Sequence, residues 1–176
     1  NNTLKIIQKI LKDNKNYKAA WQLNERHYGV LTGLNKLEMS KKMGAEKVHQ
    51  FRRSWDIKPD PLNKESPYHP LNISTYKEIS KKVIPDTESL KDTYERVIKY
   101  FEEEIKKNLI NNNILISAHG NSIRAMCKYL FGLDNNEISN LEIPTGNPLI
   151  IELNKELKIK SCEYLDKGRA KNLLVF

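Results

Sequence analysis

Ile114-Leu115-Ile116-Ser117-Ala118-His119-Gly120-Asn121-Ser122 decides how this chain is read. Residues 114–118 form a short continuous apolar run of the kind that fills a doubly buried parallel strand. A polar cluster follows at once, and then Ile123, Met126, Cys127 and Leu130 at helical spacing. In α/β folds, ligands bind where a strand turns directly into a helix. The helix start offers unpaired N–H groups and a partial positive charge, which suits phosphate. Gly120 lets the backbone approach a ligand closely, and His119 can take or give a proton near neutral pH. The same residues equally suit a plain capping turn, with Asn121 or Ser122 as N-cap and His119 satisfied nearby.

Working outward, Leu90, Tyr94, Val97, Ile98, Phe101, Ile105 and Leu109 predict a long helix over residues 90–109. Thr87 or Ser89 is available as its cap, and Asn111-Asn112-Asn113 ends it. Downstream, residues 149–153 and 157–165 read as a hairpin joined through Asn154-Lys155-Glu156. Upstream, Leu4, Ile7 and Leu11 mark an amphipathic helix over residues 3–13 with Thr3 as cap. Residues 35–43 form a helix stopped by Gly44, and residues 45–51 another. Between them and the long helix, residues 57–86 contain Pro59, Pro61, Pro67, Pro70 and Pro85. This predicts a long surface excursion with a turn of helix near residues 76–82. Helix, strand, helix and hairpin in that order point to an α/β sandwich, and residues 1–176 read as one domain.

Composition narrows the function classes. Hydrophobic residues at 39% and charged residues at 30% are ordinary for a globular protein. The apolar runs are far shorter than the roughly 20 residues that span a bilayer, so no membrane partner is expected. Two cysteines, Cys127 and Cys162, make no disulfide framework and suit a reducing, cytoplasmic compartment. His27, His49, His69 and His119 show no metal-ligand spacing, and no metal is expected. The net charge of +8 is compatible with nucleic acid, an anionic membrane surface or small anions. Its lysines are spread along helices, which favours a solvated surface over a nucleic-acid partner.

Two further clusters carry chemistry. Asn24-Glu25-Arg26-His27-Tyr28-Gly29 sets a carboxylate among Arg, His and Tyr, which is how a group is tuned for acid/base work; a surface loop with an internal ion pair is the plainer alternative. Arg52-Arg53 offers two bidentate ligands for phosphate or carboxylate, or a solvated basic face.

Taken together these blocks resemble the cofactor-dependent phosphoglycerate mutases of the histidine phosphatase superfamily. Gln22 to Gly29, followed by Leu31 to Lys36, is similar to that family's signature block. Arg52-Arg53-Ser54-Trp55-Asp56 resembles its arginine pair, and Glu88 to Thr93 the start of its long helix. Ala118 to Arg124 resembles its second histidine motif, and Ile143-Pro144-Thr145-Gly146 its late turn. The departures are Gln22 for Arg, Trp55 for Tyr, and Asn147 where an apolar residue is usual.

The resemblance implies a three-layer sandwich with a mainly parallel central sheet flanked by helices. It implies interconversion of 3-phosphoglycerate and 2-phosphoglycerate through a histidine primed by 2,3-bisphosphoglycerate, in a homodimer or homotetramer. Glu25 would be the general acid/base and His119 would stabilise the phosphoryl group in transfer. Arg26, His27, Tyr28, Lys36, Arg52, Arg53, Gly120 and Asn121 would bind substrate. The phosphorylated histidine belongs to an Arg-His-Gly motif, and none occurs in these 176 residues. The chain opens on a helix without an initiator Met, so it is expected to begin within the domain, after its first strand, and to be inactive alone. A phosphatase of the same superfamily is the nearest alternative reading. A non-catalytic protein that binds anions or nucleic acid is the other.

Overall fold

Leu90, Val97, Phe101 and Ile105 are all but removed from solvent, and their spacing puts them on one side of a helix that organises the molecule. The computed structural model describes residues 2–13 and 17–170. Its helices are α1 (Asn2–Leu11), α2 (Lys36–Met43), α3 (Ala45–Arg53), α4 (Leu90–Tyr100), α5 (Lys106–Leu109), α6 (Gly120–Phe131) and α7 (Asn135–Asn140). Its strands are β1 (Leu149–Leu153) and β2 (Ile159–Tyr164).

The long helix predicted over residues 90–109 is present, but a wide π turn at Phe101–Ile105 joins α4 to α5. Ser89 caps it reciprocally: its Oγ accepts from the Asp92 N–H at 3.1 Å, while Asp92 Oδ2 accepts from the Ser89 N–H at 2.8 Å. α4 packs on α6, burying Val97, Tyr100, Phe101 and Ile105 against Ala125 and Met126. A second cluster joins Leu90 and Cys127 to Ile138 and Leu141, with Trp55, Ile123 and Phe131 around it. α7 was not anticipated, although Asp134 and Glu137 form a capping box that the sequence displays.

Residues 114–118 belong to no helix and to no strand of a sheet among the described residues. Ile114 and Ile116 pack on the α4–α6 cluster while Leu115 remains 58% exposed, so the side chains alternate as a strand's would. A strand exists only where a neighbouring backbone completes its ladder. Among the described residues the one sheet is the antiparallel pair β1–β2, so the expected mainly parallel layer is not formed there. Helices and a sheet do share the chain, and α/β is the class it supports.

The hairpin turn is longer than expected, five residues in place of three. Asn154 Oδ1 accepts from the N–H groups of Glu156 and Lys158, and Leu157 takes φ +58°, so the turn absorbs Leu157 and β2 starts at Ile159. Asn147, where an apolar residue is usual in the family the sequence resembles, is buried and well satisfied. Its Nδ2 donates to the Asp166 carbonyl and its Oδ1 accepts from the Asp166 N–H, both at 2.9 Å. α1 starts at Asn2, which places Thr3 inside the helix, and it leaves Ile6, Ile10 and Leu11 exposed. Asn35 caps α2, Gly44 ends it at φ +87°, and α3 runs two residues further than expected, through Arg53.

Residues 57–86 hold short 3-10 turns at Pro70–Asn72, Ser74–Tyr76 and Lys81–Val83, the last two bracketing the expected turn. The segment is anchored inward as well as exposed. His69 is fully buried; its Nδ1 accepts from the Leu71 N–H, so its Nε2–H donates to Asp86 at 3.1 Å.

Gly29 ties this segment to the site. At φ +53°, a Cβ there would lie 2.1 Å from the Asp60 carbonyl and 2.8 Å from Thr87 Oγ1, where backbone and a packed side chain cannot yield. Gly29→Ala is therefore expected to cost about 3 kcal/mol of stability. Thermal unfolding followed by circular dichroism measures it, and an unchanged Tm would contradict the packing.

Candidate functional site

Buried side chains cross-link the irregular segment of residues 21–28 to α4 and α6. Arg96 on α4 places its guanidinium against Glu88, with Nε to Oε1 at 2.6 Å and Nη2 to Oε2 at 3.0 Å. The same guanidinium donates to the carbonyls of Gln22 (2.5 Å), Asn24 (3.0 Å) and Glu25 (3.2 Å). Glu88 in turn accepts from the His27 N–H at 3.0 Å. From α6, Ser122 Oγ donates to the Asn24 carbonyl at 2.6 Å. Backbone that has no ladder of its own thus has its polar groups answered by side chains.

That clamp presents Glu25. Its Oε1 accepts from its neighbour's N–H, that of Arg26, at 2.8 Å and from Asn121 Nδ2 at 2.6 Å. Oε2 has no hydrogen-bond partner among the described residues. The second Asn121 Nδ2 hydrogen goes to the Tyr28 hydroxyl at 2.8 Å. Two arginines lie over the Tyr28 ring, with the Arg26 guanidinium 4.5 Å and that of Arg52 5.3 Å from its centre.

Arg26 is 2% exposed. One guanidinium nitrogen donates to the Phe51 carbonyl at 2.6 Å, while Nε and Nη1 are buried without partners among the described residues. Arg124 on α6 is 4% exposed. It donates to Asn121 Oδ1 at 2.8 Å and to the Ile138 carbonyl, and its Nε is likewise without a partner. Burial lowers both guanidinium pKa values, helped for Arg124 by Arg53 and Arg26 and for Arg26 by Arg52; Arg124 falls to about 10. Arg53 donates to the Leu141 carbonyl at 3.3 Å and pairs with Glu142.

Of the residues selected from sequence, the structure thus brings Glu25, Arg26, Tyr28, Arg52 and Asn121 into one network. Arg53 stands beside it through Arg124. His119 is the exposed N-cap of α6, and Gly120 opens that helix with nothing within 4 Å of where a Cβ would sit, so there is open space over the helix start. Lys36 is exposed on the first turn of α2, with no side-chain partner among the described residues. The His27 ring is edge-on to Tyr76 at 6.2 Å, in a small pocket with Trp21, Ile79 and Arg96. Arg124, Arg96 and Glu88 were not selected. All three lie in the quoted helix blocks or beside them; the Arg96 carbonyl partners lie more than 70 residues away and leave no spacing signal, while Glu88 and Arg124, each with a partner nearby in the chain, read as ordinary helix residues.

Among the described residues no group of three His, Cys, Asp or Glu side chains could hold a metal ion. No described helix is long and apolar enough to cross a membrane.

Residues 69–160 match the model of the histidine phosphatase superfamily (branch 1). The chain is 66% identical over 176 residues to a 2,3-bisphosphoglycerate-dependent phosphoglycerate mutase of Pelagibacter ubique, covering 99% of this chain and 74% of that protein. A protein of the same description from Hyphomonas neptunium is 50% identical over 154 residues, 87% of this chain and 64% of its own length. Another from Borreliella afzelii is 44% identical over 177 residues, 99% of this chain and 71% of its own.

Burial holds the His27 pKa below its ordinary value; Glu88 opposes this, while Arg96 and His69 reinforce it. The unfolded chain, with an ordinary histidine, then takes up this proton at a higher pH than the folded one. The stability tied to neutral His27 is present above about pH 6.5 and is lost as pH falls through the lower folded value. Tm measured from pH 7.5 downward should drop more steeply below pH 6.5 in the native chain than in His27→Gln.

Proposed function

Because the chain belongs to the histidine phosphatase superfamily, and within it to the 2,3-bisphosphoglycerate-dependent phosphoglycerate mutases, we propose that it supplies the substrate clamp and proton-transfer groups for interconverting 3-phosphoglycerate and 2-phosphoglycerate. The observation that carries this reading is a pair of buried arginines, Arg26 and Arg124, with unpartnered guanidinium nitrogens beside a tethered carboxylate. A buried donor without a partner costs about 1–3 kcal/mol, and a phosphate or carboxylate oxygen repays it.

Glu25 acts as the general acid/base. Its Oε1 is held by two hydrogen bonds, and Oε2 is left to exchange a proton with the glycerate hydroxyl. Arg26, Arg52, Arg53 and Lys36 neutralise the substrate's phosphate and carboxylate. His27 and Tyr28 line the binding region, with the Tyr28 hydroxyl still able to donate its own hydrogen. His119, with Gly120 and Asn121 at the helix start, stabilises the phosphoryl group in transfer, where positioning and charge neutralisation dominate.

The arginine-rich clamp also fits 2,3-bisphosphoglycerate, and Arg26, Arg52 and Arg53 would hold it. That group supplies the phosphoryl that primes the enzyme. The histidine that carries it would come from an Arg-His-Gly motif, which these 176 residues do not contain.

The finer architecture belongs to the same proposal. Residues 114–118, alternately buried, are read as a strand of a mainly parallel sheet in a three-layer sandwich. Residues 1–176 are read as part of one domain, with residues 57–86 as its surface excursion. The enzyme is read as cytoplasmic, and as a homodimer or homotetramer.

Two measurements test the reading. The 176-residue chain should bind 3-phosphoglycerate in a calorimetric titration, and Arg26→Ala should weaken binding about 10- to 100-fold. Alone it should form no 2-phosphoglycerate from 3-phosphoglycerate and 2,3-bisphosphoglycerate. Fused to the part of the Pelagibacter mutase that it does not span, it should turn over, with Glu25→Gln lowering kcat roughly 10²- to 10⁴-fold. No binding, or a fusion indifferent to Glu25→Gln, sinks the assignment.

A further inference from the structure

An asparagine amide can face its surroundings in two orientations, and its neighbours decide which. Asn121 is 6% exposed and its three hydrogen-bond contacts are all to side chains of the site. Arg124 lies three residues on along α6, on the same helix face, with its Nη1 2.8 Å from Asn121 Oδ1. A guanidinium has no acceptor, so only the oxygen end of the amide can face it. That forces both Nδ2 hydrogens to the opposite side, where Glu25 Oε1 waits at 2.6 Å and the Tyr28 hydroxyl at 2.8 Å.

Arg124 is itself held. Its Nη2 donates to the Ile138 carbonyl near the C-terminal end of α7, where the helix carbonyls attract a cation. Arg26 cannot substitute for it, since the polar bond that Arg26 makes goes to the Phe51 carbonyl on α3. A line of directed hydrogen bonds therefore runs from α7 through Arg124 and Asn121 to the carboxylate.

We propose that Arg124 is a positioning residue that fixes the Asn121 amide with its NH2 toward Glu25 and Tyr28, and so holds Glu25 Oε1 while Oε2 is presented to substrate. The catalytic half of this statement rests on the mutase reading; the orientation of the amide does not.

The test is hydrogen exchange of the Asn121 side-chain NH2, followed by ¹⁵N NMR on the 176-residue chain without substrate. In the native chain both hydrogens should give resolved, slowly exchanging signals. Arg124→Lys keeps a charged donor for Oδ1 and should retain protection within about threefold. Arg124→Met should lose it about tenfold or more, the scale of one hydrogen bond to a charged group. A folded Arg124→Met chain with native protection would overturn the inference. Glu25→Ala decides independently should Arg124→Met fail to fold. If Arg124 sets the amide, the hydrogen directed at Tyr28 stays protected without Glu25, whereas loss of both signals makes Glu25 the anchor and overturns it. Adding 3-phosphoglycerate to the native chain then separates the two claims. Undisturbed signals at saturating ligand count against the mutase reading and leave the amide orientation standing.

Discussion

The Glu88–Arg96 pair is the interaction on which the rest of the site depends. Both side chains are nearly out of solvent, and the guanidinium is shared between a bidentate carboxylate and three backbone carbonyls of residues 22–25. A buried ion pair gains little net stability when compared with apolar residues of the same volume, because desolvation offsets the attraction. Its worth here is geometric. Residues 21–28 belong to no sheet and to no helix longer than a turn, so nothing in their own backbone fixes where Glu25 points. Removing either partner would leave the other's charge buried and alone, with the carbonyls of residues 22–25 orphaned if Arg96 goes and the His27 N–H if Glu88 goes, a loss of about 3–5 kcal/mol concentrated on the segment that carries Glu25.

With that segment fixed, the positive side of the site is built by helix ends. Arg53 and Arg124 both donate to carbonyls at the end of α7, and Arg26 donates to a carbonyl of α3. Helix C-termini favour cations, so these arginines are held by the fold before any ligand arrives. Burial above all lowers the pKa values of Arg26 and Arg124, with Arg52 adding to it for Arg26 and Arg53 and Arg26 for Arg124, a standing cost that an anion would relieve. On the proposed reading, stability given up in the free protein would be returned as affinity, which is how preorganised sites work.

How much of this was legible in the sequence depended on range. Elements written in local periodicity came through: the run from Leu90 to Leu109, the helix after His119 and the hairpin all sit close to where spacing puts them. The cluster at Glu25, Arg26, Tyr28, Arg52 and Asn121 was legible through its resemblance to a family, since nothing local says that Asn121 would meet Glu25 across 96 positions. What could not be read was set by long-range partners. Residues 114–118 carry a strand's pattern, yet a strand needs a neighbour, and the described residues offer none. Arg96 reads as an ordinary helix arginine because its carbonyl partners lie more than 70 positions off, and Arg124 because nothing local shows that Asn121, its neighbour on the helix, also meets Glu25. α7 was overlooked for a different reason, its capping box being plain but its length too short for periodicity to show.

The net charge of +8 looked like the strongest global signal and is the least connected to the site. Lysines at positions 18, 58, 64, 106, 107, 160 and 167 stand in exposed pairs with carboxylates, which water and salt screen. The arginines that matter contribute little to the total. Arg26 and Arg124 are two cations among 30 Lys and Arg residues, but they are desolvated, fixed in direction and short of partners. In a low-dielectric setting such charges act far more strongly than the same charges in water. An anion is recognised by where the fold has stripped water from a guanidinium, and the sum over the surface does not report that.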